Sequence, residues 1–413
     1  MTAIATDIAS LIQKSPTAVH AANVLATELE LIGFEPLDAF SGELSPNGPY
    51  YFQDAGTIFA WIQNTEASQV RIVGTHSDSP GFRIRPNPQR TVAGLTSLGV
   101  EIYGSPLWNS WLDRDLGIAG QVILKGSGTP ELRTINIDKP VCKIPQLAVH
   151  LDRSVNAKGL NLDPAKDLSP VLLGEPDFLA LVARYCDADP SEILAWDLAP
   201  YDLASPEIFG EPNAGYLSSA RIDNLVSTFA GLKALTAVGS SAPDFVPLLC
   251  VFDHEEVGSG SNRGAAGAHL NMLLSTGLAN VGRPGPKSDS LALSVDCAHA
   301  THPAHLSAHE TNHEVVMNEG VVIKSNANQR YATSIAGEQR LRAIWGDFER
   351  LQVYSHPNHI PCGSTIGPVL AQSTGIETLD IGVAQLAMHS VRETCGTRDV
   401  QDLVELLKVF WGA

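Results

Sequence analysis

Several features that define other classes of protein are scarce or missing in this sequence. The six cysteines are dispersed and form no C-x-x-C pair, which argues against a zinc ribbon or a disulfide framework. No apolar run approaches the roughly 18 residues that a membrane-spanning helix needs. Lys and Arg number only 27 against 45 Asp and Glu, so the formal net charge is −18. Such a charge repels phosphate backbones, and we expect neither nucleic acid nor a membrane as a partner.

What is present is typical of a globular protein. Of 413 residues, 44% are hydrophobic and 17% are charged, a composition that is neither disordered nor membrane-like. At about 150 residues per domain, the length predicts two or three domains. The first ten residues carry Asp7 and no Lys or Arg, so they lack the basic start of a secretory signal. We therefore expect a cytoplasmic protein with reduced thiols.

Secondary-structure patterns divide the chain into two kinds of region. Residues 4–34 have helical spacing, and strands such as 246–252 and 291–295 alternate with helices in the C-terminal half. The middle of the chain is rich in Pro, Gly and β-formers. These patterns predict an α/β domain with a central sheet flanked by helices, formed by residues 1–85 and 213–413, and an inserted β-rich domain over residues 86–212.

Side chains that can bind metals follow several predicted strands. They are His76, Asp78, Glu255, Glu256, Asp296, His299, His302 and His389, with Asp223 at the start of a predicted helix. Open α/β sheets place ligand sites at the carboxyl ends of their strands. Mixed histidine and carboxylate ligands suit Zn²⁺ or a similar divalent ion.

Taken singly, each of these residues has an ordinary structural explanation. Asp223 matches a helix N-cap, and the pair Glu255 and Glu256 matches a solvated turn. The five histidines between residues 299 and 313 could form a second metal site or a solvated loop. Only the combination indicates a functional site.

The combination resembles the aspartyl aminopeptidases, a family of metallo-aminopeptidases with two co-catalytic metal ions. The resemblance rests on nine segments, in family order over most of the chain: 74–80, 107–116, 144–151, 220–225, 253–259, 294–299, 322–332, 361–368 and 385–393.

This resemblance implies a set of metal ligands. Asp223 would bridge two divalent ions, His76 and Asp296 would complete one site, and Glu256 and His389 would complete the other. The implied metal is Zn²⁺, with Mn²⁺ or Co²⁺ as alternatives that carboxylate-rich sites accept.

It also implies roles in the reaction. Glu255 would be the general base that takes a proton from the metal-bridging water and passes it to the leaving amine. Asp78 would orient the imidazole of His76. His150, in the inserted domain, would reach a neighbouring subunit's active site and bind the developing oxyanion, the alternative being a strand-end histidine at an ordinary interface.

Substrate recognition follows from the same resemblance. Lys324 would face the acidic side chain of the substrate, the alternative being an ordinary surface lysine. Arg330 and Tyr331 lie near it in sequence. His299 and His302 would line the pocket, with His313 at its entrance.

The resemblance thus predicts an enzyme that removes N-terminal Asp or Glu from peptides and assembles as a homo-oligomer, a dodecamer built from dimers through residues 86–212. The alternatives are a related metal aminopeptidase or amidohydrolase for neutral residues, and a non-catalytic peptide-binding scaffold. Two positions depart from the family pattern: His359 replaces an acid, and Gln146 replaces a histidine found in some relatives.

Overall fold

A computed structural model describes residues 4–38, 47–211, 214–238, 244–278 and 289–413. Its helices are α1 (Ile4–Gln13), α2 (Ala18–Leu31), α3 (Val155–Lys158), α4 (Phe178–Cys186), α5 (Ile222–Leu235), α6 (His269–Met272), α7 (Ile335–Trp345), α8 (Ile366–Thr374) and α9 (Thr397–Phe410). Its strands are β1 (Glu35–Pro36), β2 (Asn47–Asp54), β3 (Thr57–Asn64), β4 (Gln69–His76), β5 (Gly81–Val92), β6 (Leu95–Tyr103), β7 (Leu116–Leu124), β8 (Glu131–Lys143), β9 (Val171–Leu172), β10 (Ile193–Asp202), β11 (Glu207–Phe209), β12 (Tyr216–Ser219), β13 (Phe245–Phe252), β14 (Leu291–Val295), β15 (Ala298–His299), β16 (Val321–Ser325), β17 (Leu351–Ser355), β18 (Glu377–Gly382), β19 (Ala384–Leu386) and β20 (Glu393–Gly396). None of the helices in these ranges is long and apolar enough to span a membrane.

The chain forms two compact units. The first comprises Met1–Asp78, Pro206–Met388 and Glu393–Ala413, and the second comprises Ser79–Ser205 and His389–Arg392. The sequence predicts the inserted domain over residues 86–212. The C-terminal boundary of that prediction lies outside the described ranges, because residues 212 and 213 are not among them. The role of the second unit in subunit contacts stays a prediction.

A mixed sheet forms the centre of the first unit. Within the described residues it has nine strands in the order β1-β2-β3-β13-β4-β14-β18-β16-β17. The four strands β13, β4, β14 and β18 are mutually parallel. Phe252 pairs with His76, and Ser294 pairs with Gly74, so these strands end at the same edge. The predicted α/β architecture is confirmed, and this edge positions the site.

Helices cover both faces of the sheet because its central strands are buried on both sides. In β4, Val70 and Ile72 join a core that includes Leu370 of α8. Val73 points the opposite way, as alternation along a strand requires, and joins a core with Phe229 of α5 and Leu403 of α9. The buried sheet therefore holds its strand ends rigidly.

Local capping residues define where the helices on this sheet begin and end. Thr365 precedes α8 and its hydroxyl accepts a hydrogen bond from the Gly367 amide at 3.2 Å. Gly375 follows α8 with φ of 68°, a left-handed conformation that glycine adopts without strain.

The remaining sheets are separate layers. In the first unit, β11, β12, β20, β19 and β15 form a five-stranded sheet in that order among the described residues. In the second unit, β10-β7-β8-β9-β6-β5 form an antiparallel six-stranded sheet within the described ranges. Phe178 and Val182 of α4 pack in the core of this sheet.

Candidate active site

His76 lies at the carboxyl end of β4 and is only 1% exposed. Its Nε2 atom lies 3.4 Å from Oδ1 of Asp223 and 3.4 Å from Oδ1 of Asp296. Burial lowers the pKa of His76, but the carboxylates of Asp223, Asp296 and Asp78 together raise it well above its ordinary value. One imidazole thus links carboxylates from two other elements.

Asp78 supports this imidazole from the opposite side. Nδ1 of His76 lies 3.0 Å from the Asp78 carbonyl oxygen and 3.5 Å from its Oδ1. The Asp78 carboxylate also accepts hydrogen bonds from the amides of Glu255 and Glu256, both at 3.1 Å. One carboxylate therefore fixes the His76 ring and the backbone of the two glutamates.

Asp223 comes from the first turn of α5, where the backbone departs from helical geometry and the Asp223–Asn224 peptide is cis. The Asp223 amide donates a hydrogen bond to Oε2 of Glu393 at 3.0 Å. Asn224 donates from Nδ2 to the carbonyl of Val295 at 2.8 Å. These bonds tie the start of α5 to β20 and to the end of β14.

Glu255 and Glu256 form a 3₁₀ turn just past β13, closed by Gly258 with φ of 95°. Burial raises the pKa of Glu255 to about 8, and neighbouring carboxylates add to the shift while His76 opposes it. Burial also raises the pKa of Glu256 well above its ordinary value, with Asp223 adding to the effect. A carboxyl group with a pKa near neutral can accept and release protons at physiological pH.

Asp296 follows β14 and pairs with Lys324 of β16. Lys324 is 2% exposed, and its Nζ lies 3.3 Å from Oδ2 of Asp296 and donates to the carbonyl of Cys297 at 3.1 Å. Burial works against ionisation of Asp296, but Lys324 and His76 hold its pKa below the ordinary value. Burial likewise lowers the pKa of Lys324, whereas Asp296 and Asp380 raise it to a net increase. Lys324 is therefore a buried, charged lysine and not an ordinary surface residue.

Gly382, at the end of β18, allows the chain to approach Asp296 closely. A Cβ atom at this position would lie 1.8 Å from the carbonyl oxygen of Asp296. Any side chain there must displace the backbone that carries Asp296. This glycine is a packing requirement of the site.

These residues form a group that we call the carboxylate cluster: His76, Asp78, Asp223, Glu255, Glu256 and Asp296. His76, Asp223 and Asp296 are all buried, and each offers a ligand atom within 4.8 Å of those of the others. His76, Glu255 and Glu256 satisfy the same criterion. Five carboxyl groups around one imidazole concentrate negative charge that a divalent cation would neutralise. The nitrogen and oxygen donors fit zinc or a similar ion.

Two predicted site residues lie in the second unit, and their roles stay predictions. His389 has φ of 67°, and its Nδ1 lies 3.0 Å from the carbonyl of Ser105 in the same unit. His150 is exposed and is flanked by Val149 and Leu151, whose exposed fractions are 49% and 75%.

Of the predicted substrate-binding residues, Tyr331 lies beside Lys324. The ring of Tyr331 lies 5.2 Å from Lys324 Nζ, and Tyr331 is 5% exposed. Tyr354 contacts the rings of both His299 and Tyr331, with centroids 5.8 and 6.3 Å apart. Arg330 is exposed, and its Nε donates to the carbonyls of Cys362 and Gly363.

The remaining histidines are peripheral in the described residues. The His302 amide donates to Nε2 of His309 at 3.0 Å, and the His302 and His305 rings have centroids 4.7 Å apart. His313 is exposed, with Nδ1 3.4 Å from the carbonyl of Thr311. Among the described residues, none of these belongs to a group of three ligand atoms close enough to hold a metal ion.

Two contributors were missed at the sequence level. Glu393, which holds the Asp223 amide, lies within the matched segment 385–393 but had no assigned role. Asp380 is fully buried, accepts from the Thr365 hydroxyl at 2.5 Å and raises the pKa of Lys324. A lone acid within an apolar strand was the only sequence signal for Asp380.

Comparison with known proteins gives consistent matches. The profile of the family described as aminopeptidase I zinc metalloprotease (M18) matches residues 11–411. A probable M18 family aminopeptidase 2 from Streptomyces avermitilis is 38% identical over 422 residues, covering 98% of this chain and 96% of that protein. A protein of the same name from Mycobacterium leprae is 38% identical and covers 100% of this chain and 99% of its own.

Solved structures are similar as well. The cryo-EM structure of the Ape4 and Nbr1 complex has a TM-score of 0.91 and 31% identity, covering 99% of this chain and 85% of that one. The structure of the S. cerevisiae mApe1 dodecamer has a TM-score of 0.83 and 27% identity, covering 98% and 96% of the two chains.

Proposed function

The chain belongs to the M18 family of zinc metallo-aminopeptidases, and on this premise we propose that it hydrolyses N-terminal Asp and Glu from peptides at the carboxylate cluster. The observation that carries the proposal is the convergence of His76, Asp223 and Asp296, with Glu255 and Glu256 beside the same imidazole. Such a buried group of histidine and carboxylates suits a hydrolytic metal centre.

The ligand assignment within this centre is part of the proposal. His76, Asp223 and Asp296 would hold one divalent ion, and Asp223, Glu256 and His389 would hold the second. Bound in this way, zinc ions supply a water of lowered pKa and a polarised scissile carbonyl. The support comes from the number of carboxyl groups, because a single ion would leave most of the local negative charge uncompensated.

Glu255 acts as the general base. Its carboxylate accepts a proton from the attacking water and then donates that proton to the departing amine, so the residue ends the cycle as it began. The support for this role is positional: the amide of Glu255 is held by Asp78 at 3.1 Å, and its carboxyl group lies beside His76 in the cluster. The bonds from Asp78 fix where the base stands, and His76 shares that support.

His150 binds the oxyanion that develops on the scissile carbonyl of a neighbouring subunit. The exposure of His150 and of the apolar side chains beside it is consistent with burial against another chain. We propose a homo-oligomer, by analogy with the mApe1 dodecamer, assembled from dimers through the second unit. The free state of all six cysteines supports a cytoplasmic setting.

Specificity for acidic residues rests on Lys324, with Tyr331, His299, His302, Arg330 and His313 contributing to the pocket and its approach. The Lys324 ammonium has three donors, and two of them face Asp296 and the Cys297 carbonyl. We assign the third donor to the substrate carboxylate. The positive charge also persists at neutral pH, because Asp296 and Asp380 raise the Lys324 pKa.

A matched panel of p-nitroanilides with N-terminal Asp, Glu, Leu and Lys tests the proposal. The enzyme is assayed as purified, after chelation, and after the return of zinc. We expect turnover to disappear with chelation, return with zinc, and favour Asp and Glu. The variant Lys324→Ala should lower kcat/KM for Asp and Glu far more than for Leu.

The other outcomes separate the alternatives. Preference for Leu would retain the metal chemistry but would overturn the role of Lys324 in specificity. Equal losses on all substrates in Lys324→Ala would reduce Lys324 to a support for Asp296. No turnover on any substrate with metal bound would indicate a peptide-binding scaffold.

A further inference from the structure

A polar cavity of about 380 Å³ lies in the first unit, and of its lining residues the proposed reaction uses only Arg330, at the approach to the substrate pocket. Ten described residues line the cavity, and they include Arg330, two histidines and three asparagines. None of these ten is Asp or Glu. The absence of acids contrasts with the −18 charge of the whole chain. The cavity is therefore rich in hydrogen-bond donors and poor in charged acceptors.

Arg330 and His356 line this cavity, and each has side-chain nitrogen atoms that make no hydrogen bond with the described residues. The Nε of Arg330 donates to the carbonyls of Cys362 and Gly363 at 3.2 Å, which fixes the guanidinium at the rim. Its Nη atoms make no hydrogen bond with the described residues. Nδ1 of His356 lies 2.7 Å from the Tyr354 hydroxyl, and its Nε2 is buried without a hydrogen-bond partner in the described chain. The Nη atoms of the exposed Arg330 and the Nε2 atom of His356 are therefore able to donate to an acceptor that enters the cavity.

The aromatic side chain of Tyr331 lies between the cavity and the catalytic region. Cys362 lines the cavity, and its hydrogen bond with Tyr331, together with burial, raises the Tyr331 pKa. Lys324 also contacts Tyr331: its Nζ lies 5.2 Å from the Tyr331 ring and 3.3 Å from Asp296. One side-chain layer thus separates the cavity from the proposed specificity lysine.

We propose that this cavity binds a second carboxylate, carried by the acidic side chain of the second or third residue of a peptide substrate or by a free dicarboxylate. The inference rests on the proposed aminopeptidase function. A carboxylate accepts several hydrogen bonds and matches the guanidinium, imidazole and amide donors of the lining. His359 and Asn358, both exposed, stand at the outer side of this donor set.

The test compares peptides that differ only in one charge. The pairs are Asp-Glu-Ala-Ala against Asp-Gln-Ala-Ala, and Asp-Ala-Glu-Ala against Asp-Ala-Gln-Ala. For the wild-type enzyme we expect kcat/KM about fivefold higher for the Glu peptide of one pair, the size of an exposed ion pair. The preference should fall to about onefold in Arg330→Gln and in His359→Ala.

Two further variants make the comparison interpretable. Arg330→Lys keeps the charge and should retain part of the preference, whereas Arg398→Gln removes an exposed charge elsewhere in the first unit and should retain all of it. Arg330→Gln also removes the bonds from Arg330 to residues 362 and 363, which could disturb the local backbone. His359→Ala avoids this effect, because no hydrogen bond in the described chain depends on the His359 side chain.

Succinate distinguishes a free ligand from a substrate side chain. Inhibition of Asp-Gln-Ala-Ala hydrolysis by succinate, lost in Arg330→Gln and in His359→Ala, would identify a free dicarboxylate as the ligand. Two results together would overturn the inference: equal kcat/KM within both pairs, and succinate inhibition that neither variant changes. Efficient cleavage of the Gln peptides in that case would leave the proposed function intact. Cleavage of none of the peptides would overturn both.

Discussion

Two regions of the first unit are rich in residues that can bind metals, yet only one gathers them. The carboxylate cluster draws His76, Asp223 and Asp296 from three separate elements and places a ligand atom of each within 4.8 Å of the others. The histidine segment, residues 299–313, has five histidines close together in sequence. The His309 side chain accepts from the His302 amide, the His302 and His305 rings lie near each other, and the His299 ring contacts Tyr354. Position at the ends of parallel strands therefore matters more than local density of metal-type residues.

The sharpest way to test this contrast is to remove the proposed base. Glu255→Gln should lower kcat on an N-terminal Asp substrate by about 10³-fold, within the range for loss of a general base. The amide still fits beside His76, so bound zinc should remain, as measured by atomic emission on the dialysed enzyme. His305→Ala, in the histidine segment, is the matched control and should change neither quantity. Normal turnover in Glu255→Gln would remove this residue as the base.

Removing the buried cation tests how much the cluster depends on charge balance. Lys324→Met leaves Asp296 without its ammonium partner, and we expect the chelated protein to lose about 3 kcal/mol of unfolding free energy. Urea denaturation followed by fluorescence measures the loss. Lys408 pairs with Glu405 at 3.0 Å on the surface, so Lys408→Met should cost less than about 1 kcal/mol. Equal losses would show that burial does not distinguish these two pairs.

Asp78→Asn tests the residue that supports both halves of the cluster. The nitrogen of an amide cannot accept a hydrogen bond, so Asn at this position cannot accept from the amides of both Glu255 and Glu256, and it removes the negative charge 3.5 Å from Nδ1 of His76. We expect zinc affinity to fall by about 10- to 100-fold, measured by competition with a chelating dye. Activity should recover in part at higher zinc concentration. Unchanged affinity would mean that the metal site does not need this support.

The smallest expected effect is the pH dependence of the chelated protein. Burial raises the pKa of Glu255 from 4.5 to about 8, so the folded state holds a proton there that the unfolded state has lost. His76, with its raised pKa, also binds its proton more tightly in the folded state. Protonation of Glu255 and His76 therefore stabilises the folded state less and less as the pH rises toward their folded-state pKa values.

Thermal unfolding after chelation should accordingly show a lower Tm at pH 8 than at pH 5.5. Zinc should remove most of the difference, because the cation replaces protons as the partner of the carboxylates. Glu255→Gln should flatten the profile, whereas His305→Ala should leave it unchanged. A Tm of the chelated protein that rises with pH would contradict the charge distribution described for the cluster.

Much of the fold could be predicted from sequence because its signals are local. Buried strands such as β13 and β14 stand out as apolar runs, and their ends coincide with the polar residues that follow them. Histidine and acids at these ends, with Asp223 at the start of a predicted helix, were enough to propose His76, Asp223, Glu255 and Asp296 as neighbours. The resemblance to known aminopeptidases supplied their roles, which local patterns could not.

The missing parts depend on pairing between distant segments. The double use of the Asp78 carboxylate requires the register of β4 against β13, and nothing in the sequence near Asp78 specifies it. The burial of Lys324 depends on its neighbours Asp296 and Asp380, which are remote in sequence. Glu393 and Gly382 likewise acquire their importance only through contacts with Asp223 and Asp296.

The order of the strands in the central sheet has a consequence for biosynthesis. His76 ends a strand that lies between β13 and β14, so its two neighbours in the sheet are made long after it emerges from the ribosome. The nascent chain therefore carries an isolated histidine, with no preformed cation site, until Asp296 has been synthesised. On the proposed function, zinc uptake would belong to the final stage of chain synthesis or follow release, when the finished enzyme competes for the metal as a folded protein.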